Sequence, residues 1–140
     1  MGESLMFKVM ALDIGTKRIG VALSDFLQII ATGNCVIDRQ PEDLAIEKIK
    51  QLAREGRVQT IVAGTPINMD GTQGEQAKDC INFMKNFEND FEIVFEDERL
   101  TSEQAEENLR ERKVDFRKNK GLVDIESACI ILEQYLSRKK

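Results

Sequence analysis

FKVMALDIGTKRIGVALSD, residues 7–25, reads as two strands joined by a tight turn that contains glycine. Phe7, Val9, Ala11 and Asp13 share one parity, so strand alternation carries a carboxylate onto the same face as three apolar side chains. Ile19 to Leu23 supplies the second apolar run. Gly15 and Gly20 mark points where the chain can turn sharply, or where a ligand can approach backbone without meeting a Cβ. Alone, Asp13 is most simply a turn former that ends a strand. Two further acidic signals, each at the end of an apolar element, give it a second meaning.

Working outward, Ile29 to Ile37 reads as a third strand, interrupted at Gly33-Asn34 by a bulge or kink. Pro41 suits a first helical position, and Leu44, Ala45, Ile49, Leu52 and Ala53 follow at helical spacing until Gly56. Thr60 to Ala63 is a short buried strand, followed by the loop GTPINMDG, residues 64–71. Ala77, Cys80, Ile81, Met84 and Phe87 form the apolar stripe of a second helix, and Phe91 to Phe95 a fifth strand. Thr101 with Gln104 resembles a capping box opening a Glu-rich helix through about Arg112. Ile125, Ala128, Cys129, Leu132, Tyr135 and Leu136 make the stripe of the last helix. No repeat or linker interrupts the 140 residues, so one domain, 1–140, is expected. Three strands followed by alternating helices and strands predict an α/β fold: an antiparallel meander extended by parallel strands through crossover helices.

Composition narrows the chemistry. Histidine is absent, which excludes Ser-His and Cys-His nucleophile pairs and a His-rich metal site. The three cysteines, at 35, 80 and 129, form no CxxC pair and read as small core residues. No apolar run approaches a membrane span and no leader with a cleavage site opens the chain, so a soluble, cytoplasmic protein with no membrane partner is expected. A net charge of −5 argues against general stickiness to nucleic acid. Locally the balance reverses: Arg110 to Lys120 holds six basic residues against two acidic ones, a local +4 with few apolar anchors. That stretch is expected to be mobile.

The remaining candidates are carboxylates. Asp13 ends the first strand, Asp97 and Glu98 end the fifth, and Asp124 opens the last helix. Positions 124, 128, 131 and 135 fall on one helical face, placing Asp124 at its sheet-facing edge rather than on the solvent side, with a plain N-cap as the alternative. Carboxylates brought together raise one another's pKa unless a cation lies between them. With oxygen donors alone that cation is Mg²⁺ or Mn²⁺. Two such ions about 4 Å apart activate a water and stabilise a leaving oxygen in phosphodiester hydrolysis.

Four ordered stretches, ALDIGTKRIGVALSD, VAGTPINMDGTQGEQA, EDERLTSEQAEENL and KGLVDIESACIILEQYL, resemble the motifs of the YqgF/RuvX family. Its members are described as nucleases of pre-16S rRNA and as Holliday-junction resolvase-like enzymes. The resemblance implies an RNase H-like fold, a five-stranded mixed sheet flanked by helices, with acidic residues holding Mg²⁺. It matches Asp13, Glu98 and Asp124 to the catalytic and metal-binding positions. Alternation from Phe91, Ile93 and Phe95 favours Asp97 instead of Glu98 for the apolar face. The departures, Gly64-Thr65-Pro66 and Met69, touch none of these positions.

What the resemblance implies is a metal-dependent nuclease acting on structured RNA, at the 5′ side of pre-16S rRNA, with ribosomal precursor particles as its setting. Lys17, Arg18, Arg99, Arg117, Lys118 and Lys120 would then meet phosphates. A resolvase of branched DNA is the near alternative. It should act as a symmetric dimer, whereas a monomer or weak dimer is expected here. A non-catalytic ribosome- or nucleic-acid-binding module fits the acidic charge and missing histidine equally, but keeping all three carboxylates favours the enzyme. DIGTKRIG also resembles the phosphate hairpin of actin-like ATPases and sugar kinases. Those need two such domains, for which 140 residues leave no room.

Overall fold

The centre of the sheet is β1 (Lys8–Ile14). Met10, Leu12 and Ile14 enter one apolar layer, while Val9 and Ala11 enter another on the opposite face. Asp13 continues the second series, as the alternation predicts. The computed structural model describes residues 6–65, 74–97, 101–115 and 119–139. β2 (Arg18–Ser24) returns antiparallel, setting Asp13 opposite Gly20 and Ile14 opposite Ile19.

β3 (Ala31–Asp38) pairs antiparallel with β2 at the sheet edge. Cys35 lies opposite Val21 and Gly33 opposite Ala22, leaving Asn34 as the extra residue of a bulge. This is the interruption expected at Gly33-Asn34. The strand starts at Ala31 rather than Ile29 because Asp25 Oδ1 accepts hydrogen bonds from the N–H groups of Ile29 (2.8 Å) and Ile30 (2.9 Å). Those two residues belong to the turn.

α1 (Glu42–Glu55) buries Ala45, Ile49 and Ala53. Pro41 is its N-cap, with extended backbone (ψ 138°), and not the first helical residue expected. β4 (Val58–Thr65) runs parallel to β1 and is longer than its β-branched middle suggests. α2 (Glu75–Met84) leads into a single 3₁₀ turn, Lys85–Phe87. Phe83 joins Cys80, Met84 and Phe87 in the core, whereas Ile81, expected there, is half-buried. The core faces the 80–83–84–87 arc, and 81 lies at its margin. β5 (Glu92–Asp97) adds parallel to β4, completing the order β3-β2-β1-β4-β5.

α1 and α2 cover the Met10–Leu12 face. The Val9–Ala11 face is covered by α4 (Gly121–Lys139), with α3 (Thr101–Glu111) packed against α4. Ile131 and Leu132 of α4 are fully buried, each worth about 2 kcal/mol relative to exposure. Among the described residues no helix is long and apolar enough to cross a membrane.

Arg39, at the end of β3, ties these layers together. Its backbone N–H donates to the Lys17 carbonyl and Nη1 to the Gly15 carbonyl, both at 2.9 Å. The same guanidinium grips both Asp79 oxygens, at 2.9 and 3.0 Å, and lies 4.6 Å from the Phe83 ring centroid. Hydrogen bonding from Arg39 holds the Asp79 carboxyl below its ordinary value of 3.8, against the desolvation that would raise it. A carboxyl depressed in the fold contributes stability above its unfolded pKa and loses it as pH falls through the folded one. Asp79→Asn should therefore lower the melting temperature at pH 7, and the gap from the parent should close below about pH 4. Melts between pH 7 and pH 2.5 check this; a constant gap would assign Asp79 only a packing role.

Candidate functional site

Asp13 lies next to the carboxyl end of β1, across the ladder from Gly20. A Cβ placed on Gly20 would come 2.0 Å from the carbonyl oxygen of Asp124 and 2.4 Å from its carbonyl carbon. Only glycine lets the first turn of α4 rest on β2 this closely. Gly20 does admit a close approach, and what approaches is the backbone of the protein's own last helix. Asp13 and Asp124 are thus both immediate neighbours of Gly20, on the same face of the sheet.

The Asp124 carboxylate accepts a hydrogen bond from Arg18 Nε at 2.7 Å. Arg18 shares the parity of Gly20 and Ala22, so it stands on the α4 side of β2. Sequence reasoning assigned Arg18 to phosphate and missed this pairing, which links residues 106 positions apart. Asp124 is the fourth residue of α4. Asn119 Oδ1, not Asp124, accepts from the Gly121 N–H at 3.1 Å at the start of the helix. Asp124 continues the face of Ala128, Ile131 and Tyr135, all buried against the sheet, as the spacing implies.

At β5 the alternation argument fails for a physical reason. Ile93 and Phe91 pack into the α1–α2 layer, while Val94 packs into the α4 layer. A parallel strand carries apolar residues on both faces, so an apolar parity does not say which face it is. Asp97 lies opposite Thr65 in the register and follows the Ile93 series, on the other side of the sheet from Asp13. The α4-facing series runs through Val94 and Glu96, the latter bound by Arg138 of α4. Glu98 and Arg99 lie outside the described residues. Among the described residues no three acidic or cysteine side chains form a metal-binding group; of the three expected ligands only Asp13 and Asp124 are among those residues.

The basic stretch is less available than its count suggests. Arg110 pairs with Glu106 and Glu107 of its own helix, and Arg112 with Glu126 of α4. Lys113 adopts φ 59°, and its N–H and that of Val114 close the end of α3 onto the carbonyls of Arg110 and Leu109. Residues 110–114 thus form a closed helix end; Arg117 and Lys118 lie outside the described residues. Lys17, in the β1–β2 turn, and Lys120, just before α4, are exposed. Burial pushes the Cys129 thiol up to about 11 and raises that of Cys35, so neither is a thiolate nucleophile at neutral pH.

A mixed sheet with antiparallel β1–β3, parallel β4 and β5, and a carboxylate-bearing last helix defines the RNase H-like class. Two solved structures share the fold. Thermus thermophilus RuvC in complex with a Holliday junction substrate is 15% identical, with TM-score 0.59 over 95% of each chain. Fowlpox virus resolvase in complex with Holliday junction DNA is 13% identical, with TM-score 0.61 over 95% of this chain and 99% of that one. A family model described as "RuvX: Holliday junction resolvase" matches residues 7–138, and the chain belongs to this family. Relatives named "Putative pre-16S rRNA nuclease" include one from Crocosphaera subtropica, 44% identical over 94% of this chain and 93% of that protein. Another, from Natranaerobius thermophilus, is 40% identical over 94% and 95%.

Proposed function

We propose that the protein is a divalent-metal-dependent nuclease that hydrolyses phosphodiester bonds in structured RNA, at the 5′ side of pre-16S rRNA. The observation that supports this best is that Asp13 lies across the ladder from Gly20 while the Asp124 backbone rests on that same glycine, in a chain 44% identical to a protein named for that activity. Two carboxylates of like charge on one face, with only oxygen donors at hand, suit a hard cation. Asp13, Asp124 and Glu98 would hold Mg²⁺ or Mn²⁺, which when bound supplies activation of a water and neutralises the leaving oxygen. Arg18 orients the Asp124 carboxylate. Lys17 and Lys120, with Arg99, Arg117 and Lys118, would position phosphates without reading sequence. The setting would be ribosomal precursor particles in the cytoplasm, with the protein a monomer or weak dimer.

Cleavage of end-labelled precursor rRNA with Mg²⁺, with Mn²⁺ and with chelator tests the reading, alongside a four-way DNA junction. Metal-dependent cleavage of the RNA alone supports it. Cleavage of the junction alone replaces it with the resolvase reading, and no cleavage of either with the binding module. Neutralising Arg117, Lys118 and Lys120 together should flatten the slope of log affinity against log salt by up to about three phosphate contacts. The Mg²⁺ titration should be unchanged. An unchanged salt slope would route the RNA elsewhere.

A further inference from the structure

The end of the sheet away from Asp13 carries a second surface. Phe26, Leu27, Ile29 and Ile30 occupy the β2–β3 turn and are 39%, 68%, 54% and 60% exposed. A contiguous exposed apolar patch on a small protein marks a contact surface. The turn is rigidly built. Asp25 Oδ1 binds the Ile29 and Ile30 N–H groups, and Gln28, at φ 57°, returns its N–H to the Asp25 carbonyl at 3.0 Å. The Gln28 amide donates to the Phe7 carbonyl and accepts from Lys139 Nζ. The fold therefore fixes the backbone that presents these exposed side chains, so docking need not order the turn itself.

Three cations ring the turn. Lys8 Nζ lies 4.9 Å from the Phe26 ring centroid, and the Arg57 guanidinium stands 5.7 and 5.8 Å from Phe26 and Phe7. Lys139 is the third. Among the described residues none of them meets a carboxylate at ion-pair distance, although the chain carries a net charge of −5. Asp25, the acid within the turn, stays ionised and accepts from backbone N–H groups, so it offsets one of the three positive charges. We propose that the turn Asp25–Ile30, with Lys8, Arg57 and Lys139, docks an acidic segment of another protein that carries apolar side chains on one face and carboxylates at its margins. The charges choose this occupant. A second copy across a twofold axis would bring two such cationic rims together. A nucleic acid would find aliphatic Leu27, Ile29 and Ile30 where stacking faces are needed, and the Phe7 and Phe26 rings already attended by cations. Five residues of strand, about 17 Å, separate Lys8 from Asp13, so a docked partner would leave the cleavage site open.

The probe is a short synthetic peptide of alternating leucine and glutamate, with a leucine–lysine counterpart and single-stranded oligouridylate RNA as controls. Each is titrated into the ¹⁵N-labelled full chain. The acidic peptide should shift the amides of Phe26 to Ile30 and weaken with salt. Arg57→Gln and the double variant Leu27→Ser with Ile30→Ser should each raise its dissociation constant at least tenfold while melting like the parent. Absence of shifts at the turn, or equal binding of the lysine peptide, would overturn the proposal. RNA shifting the turn in preference to the acidic peptide would assign the surface to nucleic acid. Self-association in sedimentation that Leu27→Asp abolishes would assign it to a second copy.

Discussion

Gly20→Ala should lose about 3 kcal/mol of stability and most of the cleavage activity, although it adds a single methyl group. The new Cβ would stand 2.0 Å from a backbone carbonyl oxygen, and backbone cannot step aside as a side chain does. The first turn of α4 has to retreat by about 1 Å or more, and overpacking of this kind costs up to about 3 kcal/mol. For a chain of this size that is a fall of roughly 10 °C in melting temperature. Asp124 retreats with the helix, and a misplacement of about 1 Å costs on the order of 100-fold in rate. Gly33→Ala is the control. Its Cβ would meet Ile125 Cγ2 at 2.5 Å and Cys129 Sγ at 3.4 Å, side-chain rather than backbone atoms; the stiff Ile125 has to shift or change rotamer, so the loss should be about 1–2 kcal/mol, smaller than for Gly20→Ala, with cleavage retained. Thermal melts and single-turnover cleavage of the two variants decide the matter. A Gly20→Ala protein that melts with the parent would mean that α4 does not rest there.

Asp13→Asn should abolish metal-dependent cleavage while sparing the fold. An amide oxygen carries no charge to neutralise a divalent ion, and losing several kcal/mol of transition-state stabilisation slows the reaction at least about 1,000-fold. The side chain keeps its shape, and one of two like charges beside Gly20 disappears. The melting temperature without metal should therefore stay within about 2 °C of the parent. The sharper signature is linkage: Mg²⁺ should raise the parent's melting temperature and leave the variant's unmoved. A variant that still cleaves at the parental rate would remove Asp13 from the site.

How far these features were legible in the sequence depended on whether a residue's role was local. Alternation along β1 placed Asp13 on its face, and helical spacing placed Asp124 on the sheet side of α4, because each periodicity is a property of one element. The Gly33-Asn34 bulge was readable for the same reason. The choice between Asp97 and Glu98 was not, because β5 is apolar on both faces and only its neighbours tell them apart. The Arg18–Asp124 pair was equally hidden, since charge and spacing carry no record of a contact made across the whole chain. The six basic residues of 110–120 were countable, yet Arg110 and Arg112 proved to be committed to glutamates that a local sum treats as background.

The contact between Gly20 and α4 also sets the order in which the molecule becomes functional. Synthesis delivers Asp13 early, but the helix that brings Asp124 and covers Val9, Ala11, Ala22 and Val62 comes more than a hundred residues later. Closing so long a loop is a late and slow event in folding. Until it closes, a growing or interrupted chain has a bare apolar sheet face and lacks the last of its three carboxylates. Such a fragment would call on chaperones or proteases, so completion of the site arrives together with protection from aggregation.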